Sequence, residues 1–336
     1  MTVRAPVGAI ARSLHNACLG RGVCAITSTI VDNEYLYQYL LSYETRWAAI
    51  EQGSTFTAVN GKDIRGIEIP LPPLAEQRKI AEVLSTVDEK MAVMDEQLAQ
   101  TQELKKGLMQ RLLTKGIGHA TFKDSPLGEI PESWGIKRIN EVSSYVDYRG
   151  KTPLKVASGI FLVTARNIKS GKIDYALSKE YVPIEQYDEV MGRGKPQIGD
   201  VLITTEAPLG EIAAIDREDI ALAQRIIKYR ADSNQLDSCY FKYFLLSPQF
   251  QLALDKESTG STVKGIKGSR LHKMQLLVPT SLAEQRQIAE ILTTVDDKLQ
   301  VLTDKKAQYQ ELKRGLMQQL LTGQRRVRVA AEEATV

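Results

Sequence analysis

Leu74-Ala-Glu-Gln-Arg-Lys-Ile-Ala-Glu82 returns 208 positions later as Leu282-Ala-Glu-Gln-Arg-Gln-Ile-Ala-Glu290. The match runs without a gap through Thr114 and Thr322, with 27 of 41 positions identical. Self-similarity of this length marks an internal duplication, and a duplication organises everything around it. In the first copy Ile80, Val83, Val87, Met91, Met94 and Leu98 step by threes and fours, and Leu104, Leu108 and Leu112 continue the stripe. In the second copy Ile288, Ile291, Val295, Leu299 and Leu302 do the same, followed by Leu312, Leu316 and Leu320. The spacing predicts two long amphipathic helices with a heptad-like apolar face. Neither stripe is wide enough for a globular core helix over its full length, so the helices are expected to pack on each other.

Their starts are marked. Ser281 to Glu284 has the pattern of a capping box, and Pro72-Pro73 suits a first helical turn. Gly107 and Gly315 occupy equivalent places late in each copy. A glycine there costs up to ~1 kcal/mol against alanine, so the pair suggests close backbone approach.

The helices, at 73–115 and 281–323, divide the chain. Residues 116–133 carry Gly116, Gly118, Pro126, Gly128 and Pro131 and read as a linker with turns. Residues 134–280 read as a globular unit. The runs 159–165, 200–205, 210–215 and 226–229 have the composition of short strands, and Tyr240 to Leu254 reads as a helix, so the class is α+β. Residues 1–72 parallel the later part of that unit. Arg4-Ala-Pro-Val-Gly8 matches Glu206-Ala-Pro-Leu-Gly210, the apolar helix Tyr35 to Ile50 matches Tyr240 to Leu254, and Gly53-Ser-Thr55 matches Gly260-Ser-Thr262. Nothing before Met1 matches residues 134 to about 203, so the first unit is expected to lack roughly its first half. Residues 324–336, basic and then acidic, read as a disordered tail.

Order along the chain makes paired helices antiparallel, because each unit feeds the start of one helix and lies near the end of the other. A helix of ~40 residues spans about 60 Å at ~1.5 Å per residue. That is between one and two turns of duplex DNA at ~3.4 Å per base pair, which suits a ruler for a split DNA site.

Composition excludes several classes. The 336 residues are 43% hydrophobic and 25% charged, ordinary for a soluble protein. No apolar run approaches the ~20 residues of a membrane span. A cytoplasmic location without a membrane partner is the expectation. Cys18, Cys24 and Cys239 have no CxxC spacing, and His15, His119 and His272 have no ligand at metal spacing. The net charge of +3 permits nucleic acid without requiring it.

The set of motifs resembles the specificity subunit of type I restriction-modification enzymes. The resemblance rests on Pro70-Leu-Pro-Pro-Leu-Ala-Glu-Gln-Arg78 and Ser281-Leu-Ala-Glu-Gln-Arg286 at the helix starts, and on Glu103 to Gln110 and Glu311 to Gln318 at the helix ends. Asp124-Ser-Pro-Leu-Gly-Glu-Ile-Pro-Glu-Ser-Trp134, followed by Arg149-Gly-Lys-Thr-Pro153, completes it. It covers nearly the whole chain. It implies two target-recognition domains, the first incomplete here, separated by two antiparallel helices that form a coiled-coil spacer. It also implies double-stranded DNA as ligand, a bipartite target, and two methyltransferase subunits docked on the spacer. S-adenosylmethionine would belong to those partners, ATP and magnesium to a restriction or motor subunit, and no cofactor, metal or catalytic residue to this chain. The residues agree with a non-catalytic role. No Asn/Asp-Pro-Pro-aromatic motif is present, and Tyr145 stands where the first glycine of a phosphate loop ending at Gly150-Lys151-Thr152 would be required.

Candidate DNA contacts are basic and polar residues in turns: Arg149, Lys151, Thr204, Thr205, Gln224, Arg225, Thr262, Lys264 and Lys267 in the later unit, and Thr55, Thr57 and Lys62 in the first. Lys and Arg neutralise phosphate, and Arg or Gln can read base edges. Two other readings stay open: a truncated or silent specificity-subunit fragment, and a coiled-coil adaptor that joins proteins without reading DNA.

Overall fold

The computed structural model describes residues 1–4, 7–44, 46–47, 58–148, 153–260 and 263–328. The duplicated segments are single helices, Leu74–Lys115 and Leu282–Leu321. The chain divides into two compact units, and each contains part of both helices. One unit is Met1–Gln100 with Leu299–Val336, and the other is Thr101–Lys298.

In the Thr101–Lys298 unit, alternation along one strand builds two cores. Val201–Thr205 is buried at every position. It lies between Leu209–Ala214 and Ile226–Ala231, and Ser143–Asp147 pairs with the far side of Ile226–Ala231, antiparallel throughout. Successive side chains in a strand point to opposite faces. Val201, Ile203, Ile212, Ile227 and Tyr229 therefore face a core shared with the helix Ser238–Leu246. Leu202, Ala213 and Ile226 face a second core. That core is closed by a small sheet in which Ile220–Leu222 runs parallel to Ile160–Val163, and Ile160–Val163 runs antiparallel to Tyr181–Val182.

The expected helix from Tyr240 to Leu254 is two helices, Ser238–Leu246 and Pro248–Glu257. Asp237 caps the first through the amide of Tyr240. Ser247 caps the second through the amide of Phe250, with Pro248 in its first turn. The expected linker is also more than a linker. Phe122–Lys123 and Ile130–Pro131 form an antiparallel pair, and Ile117, Leu127, Ile130 and Trp134 join the larger core.

The Met1–Gln100 and Leu299–Val336 unit is smaller. Its lobe includes the helix Asn33–Ser42, capped by the Asp32 carboxylate at the amides of Glu34 and Tyr35. The sequence placed a helix from Tyr35 to Ile50, of which residues 45 and 48–50 lie outside the described residues. Single bridges join Thr2 to Val23 and Arg4 to Ala58. Gly8 holds φ of 90° against the Trp47 ring, as Gly210 holds 81° against Gln251 and Leu254. The two glycines that the parallel between residues 4–8 and 206–210 aligns thus share a positive φ.

Within each unit the two long helices run antiparallel. In the first, Asp88 pairs with Lys313 at 2.7 Å, and Asp95 pairs with Lys306. In the second, Lys105 pairs with Asp296 at 2.6 Å. Asp296 is the repeat of Asp88 and Lys313 the repeat of Lys105, so the same ion pair forms in both units with the roles of the helices exchanged.

The seam differs from the predicted stripe. Ile80, Val87, Ile288, Val295 and Leu302 are buried, and Val83, Met91, Met94, Leu98, Leu108, Ile291, Leu299 and Leu316 are half-buried. Leu104 and Leu312 are 52% and 49% exposed and lie off it. Leu84, Leu113, Leu292 and Leu321, outside the predicted stripe, are 1% exposed or less, as tight as Ile80 and Ile288 within it. Near its lobe each helix packs on the partner helix and on the lobe together, which widens and shifts the buried face. Tyr35, Tyr39, Ile80, Ala81, Leu84, Leu320 and Leu321 form one such junction.

Gly107 and Gly315 correct another expectation. A Cβ built on either meets nothing within 4 Å, so neither serves close approach.

Candidate nucleic-acid interface

The backbone of Thr205 joins three loops at one end of the four-stranded sheet. Its amide donates to the Arg225 carbonyl at 2.8 Å, and its carbonyl accepts from the amide of Ile266 at 3.0 Å. Glu206 is bridged to Gly265, and Gly265 to Thr259. Segments 204–208, 223–226 and 263–267, with Thr259, are therefore held side by side, and with them Gln224, Arg225, Lys264 and Lys267. Gln224 is half-buried, and the other three are exposed.

Backbone geometry constrains all three of these loops. Arg225 has φ of 79°, and Ala207, before the cis Pro208, has 46°. Gly260 has φ of 109°, and an added Cβ would sit 2.2 Å from the Val263 carbonyl oxygen. Only glycine closes that turn without a clash.

Each basic side chain but one carries a carboxylate partner. Arg225 pairs with Glu206 at 2.9 Å, Lys264 with Asp255, and Arg270 with Glu257 at 3.5 Å. Among the described residues Lys267 has no ion pair. The pairs are exposed and individually weak, so phosphate could take over the cations at little cost. The sequence reading missed Glu206, Asp255, Glu257 and Arg270. Only pairing across loops brings them to the candidate cations, and no spacing signals it.

Thr204 and Thr205 are withdrawn as contact residues. They are 0% and 2% exposed; the Thr204 hydroxyl accepts from the Glu211 amide, and that of Thr205 donates to Arg225. Side chains satisfied inside a sheet present nothing to a groove. Arg149, Lys151, Thr262, Thr55 and Thr57 lie outside the described residues. Lys62 is exposed on the short helix Gly61–Arg65.

A charge cluster lies at the other end of the strand that carries Thr205, joining its start to the neighbouring strand. Asp200 accepts from Arg230 at 2.7 Å and lies 3.1 Å from the Lys228 ammonium. Burial alone would push the Asp200 carboxyl up. Hydrogen bonds from Arg230, the Gln197 amide and Lys228 outweigh it and hold the group below the usual carboxylate range. Desolvation lowers Lys228 despite its partner.

The Ala-Glu-Gln-Arg motif has a structural role in both copies. Gln285 is fully buried. Its Oε1 accepts from the Asp237 amide at 2.7 Å, and its Nε2 donates to the carbonyls of Gln235 and Pro279. Gln77 repeats this with the Asp32 amide and the Pro72 carbonyl. Asp32 and Asp237 are the N-caps of the lobe helices, so each glutamine fixes a lobe to the start of a long helix. The preceding glutamate holds the chain that leaves the other helix. Glu284 takes the Ile117 amide, His119 and the Trp134 indole. Glu76 takes the Arg326 guanidinium and the Val327 amide. The Arg326 hydrogen bonds hold the Glu76 carboxyl below its ordinary range.

Two expectations change accordingly. The Ser281 hydroxyl does accept from the Glu284 amide at 3.4 Å, but the Glu284 carboxylate is engaged elsewhere, so only half of the capping box forms. Arg326 and Val327 are bound to the body of the unit rather than part of a free tail; residues 329–336 lie outside the described residues. His119 and His272 are hydrogen-bonded to Glu284 and Tyr229.

The family model described as "Type I restriction modification DNA specificity domain" matches residues 1–103 and 131–311. The chain belongs to this family. Within the specificity-domain family it is 30% identical over 314 residues to the type I restriction enzyme MjaVIII specificity subunit of Methanocaldococcus jannaschii, covering 89% of this chain and 72% of that protein. The EcoBI specificity subunit of Escherichia coli is 24% identical, over 81% of this chain and 61% of that protein. The S subunit structure of a type I restriction-modification system from M. genitalium superposes with a TM-score of 0.55 at 16% identity, covering 87% of this chain and 73% of that one. The family's α+β fold with long spacer helices is the one found here.

Proposed function

We infer that this chain is the DNA-recognising, non-catalytic subunit of a type I restriction-modification complex. In this reading it recognises one part of a bipartite double-stranded target through the loops gathered at Thr205. The paired helices present a docking surface to two methyltransferase subunits. S-adenosylmethionine would be bound by those subunits, and ATP with magnesium by a restriction or motor subunit if one joins.

The convergence of Arg225, Lys264 and Lys267 carries the reading. Two separate loops, both tied to the backbone of Thr205, bring exposed cations to one edge of a sheet. Cations held this way neutralise phosphates, and Arg or Gln among them can read base edges in the major groove. Membership of the specificity-domain family and two copies of the same lobe-to-helix clasp support the bipartite part.

A mobility-shift assay with purified methyltransferase partner tests it. Sequence-selective retention of one duplex over a shuffled duplex is expected. Stable partner binding with equal retention of both would favour the adaptor reading.

A further inference from the structure

The chain that leaves the Thr205 loops passes directly into a short rail of charge. Gly268, Leu271 and Met274 are buried, and Lys267, Arg270 and Lys273, one residue before each, are exposed. Hydrogen bonds explain the period of three. The Arg270 amide donates to the Lys267 carbonyl at 2.9 Å, the Lys273 amide to the Arg270 carbonyl at 3.0 Å, and the Met274 amide to the Leu271 carbonyl at 3.1 Å. In a helical turn of either kind, residues three apart share a face. The three cations therefore follow one another along one side of the helix Gly268–Leu271 and its two ends.

Both ends of the rail are fixed. At its start the Ile266 amide donates to the Thr205 carbonyl. At its end His272 is buried, with its ring hydrogen-bonded to the Tyr229 hydroxyl at 2.7 Å and stacked on Tyr145. The carbonyls of His272 and Met274 accept from the amides of Asn140 and Ile139. Packing accounts for the buried residues and not for the charges. Like charges one turn apart repel. Glu257 offsets only Arg270, at 3.5 Å, and among the described residues neither Lys267 nor Lys273 has an ion pair.

We propose that Lys267, Arg270 and Lys273 hold successive phosphates of one DNA strand, alongside the bases read through Gln224 and Arg225. The inference rests on the DNA reading of the Thr205 loops and adds a division of labour within them. Neighbours about 5–6 Å apart cover ~10–12 Å in all. At ~3.4 Å of axis per phosphate of one strand, that length holds about three phosphates. Contacts of this kind set register and orientation and carry no sequence information. A rail anchored at both ends holds its cations in place before the duplex arrives. An acidic protein surface has the same charge, but the direct continuation from the Thr205 loops favours DNA.

The test uses the chain assembled with its methyltransferase partner and a random-sequence duplex pool, with selection read by sequencing and affinity for the selected duplex measured across a salt series. Lys273→Ala should enrich the same motif as the unaltered chain and make the slope of log affinity against log salt shallower by ~0.9; the double variant Lys267→Ala with Lys273→Ala should do so by about twice as much. Lys273→Arg should keep the slope. Thermal melting should place the alanine variants at or above the unaltered midpoint, because they remove a repelling cation and no packing contact. An unchanged slope with the motif intact overturns the rail and leaves the DNA reading standing. A changed motif would assign Lys273 to base reading, and weaker binding of the methyltransferase partner with an unchanged DNA slope would assign the rail to an acidic protein surface; either overturns the proposal. No motif from the unaltered complex overturns the DNA reading and the rail together.

Discussion

Replacing Gln285 with alanine should loosen the Thr101–Lys298 unit more than any surface change of similar size. The side chain is fully buried and satisfies three backbone groups: the Asp237 amide and the carbonyls of Gln235 and Pro279. A buried polar group left without its partner costs ~1–3 kcal/mol. Taking the low end for each gives about 3 kcal/mol. Gln77 satisfies two such groups, the Asp32 amide and the Pro72 carbonyl, so Gln77→Ala should cost about 2 kcal/mol on the same basis.

The chain has two tryptophans, and Trp134 lies in the unit that Gln285 holds. In a Trp47→Phe background, urea unfolding followed by Trp134 fluorescence reads that unit. At ~2 kcal/mol per molar urea the midpoint should fall by about 1.5 M. Gln285→Glu separates hydrogen bonding from packing. It keeps the volume and the acceptor for Asp237 but turns a carboxylate toward two carbonyls, so it should be at least as damaging as alanine. A midpoint shift under about 0.3 M for either variant, typical of an unremarkable surface site, would refute the clasp.

Other outcomes follow from the same geometry. Gly107→Ala and Gly315→Ala should each stabilise by up to ~1 kcal/mol in thermal melting, since the new methyl meets nothing and alanine is the better helix former. Lys267→Ala should reduce the slope of log affinity for DNA against log salt by ~0.9; Lys264→Ala, whose cation already has Asp255, should reduce it less, and equal losses would contradict the ion-pair assignment. The depressed Asp200 carboxyl contributes stability that is present above the ordinary carboxylate range and lost as pH falls through its folded value. Acid unfolding monitored by circular dichroism should accordingly flatten in Asp200→Asn, which begins less stable at neutral pH. A double-mutant cycle on Lys105 and Asp296, half-buried partners, should return a coupling of ~0.2–1 kcal/mol, and a value near zero would question the antiparallel register.

The duplicated helices and most strands of the larger unit were legible because both are periodic. Identity at a fixed offset identified the helices, and apolar runs between turn residues identified Val201–Thr205 and Ile226–Ala231. The seam was legible only in part. Leu84 and Leu292 are buried because lobe and partner helix meet there, and a single-helix periodicity contains no information about a third surface. Glu284 was misjudged for a related reason. Locally it completes a capping box, but a chain segment 150 or more residues away brings it an amide, an imidazole and an indole. The open faces of Gly107 and Gly315 were hidden because repetition alone does not distinguish contact from tolerance. For the interface, loop composition found Arg225, Lys264 and Lys267. It also drew in Thr204 and Thr205, whose run of β-branched neighbours marked a buried strand more than a turn.

The central claim is that loops gathered at Thr205 select a DNA sequence on behalf of a methyltransferase complex. The direct test is selection from a random-sequence duplex pool by the chain assembled with its methyltransferase partner, read by sequencing. Enrichment of one defined motif, redirected or lost when Gln224 and Arg225 are replaced by alanine, is the predicted result. Recovery of the pool without enrichment by a folded, assembled complex would contradict it.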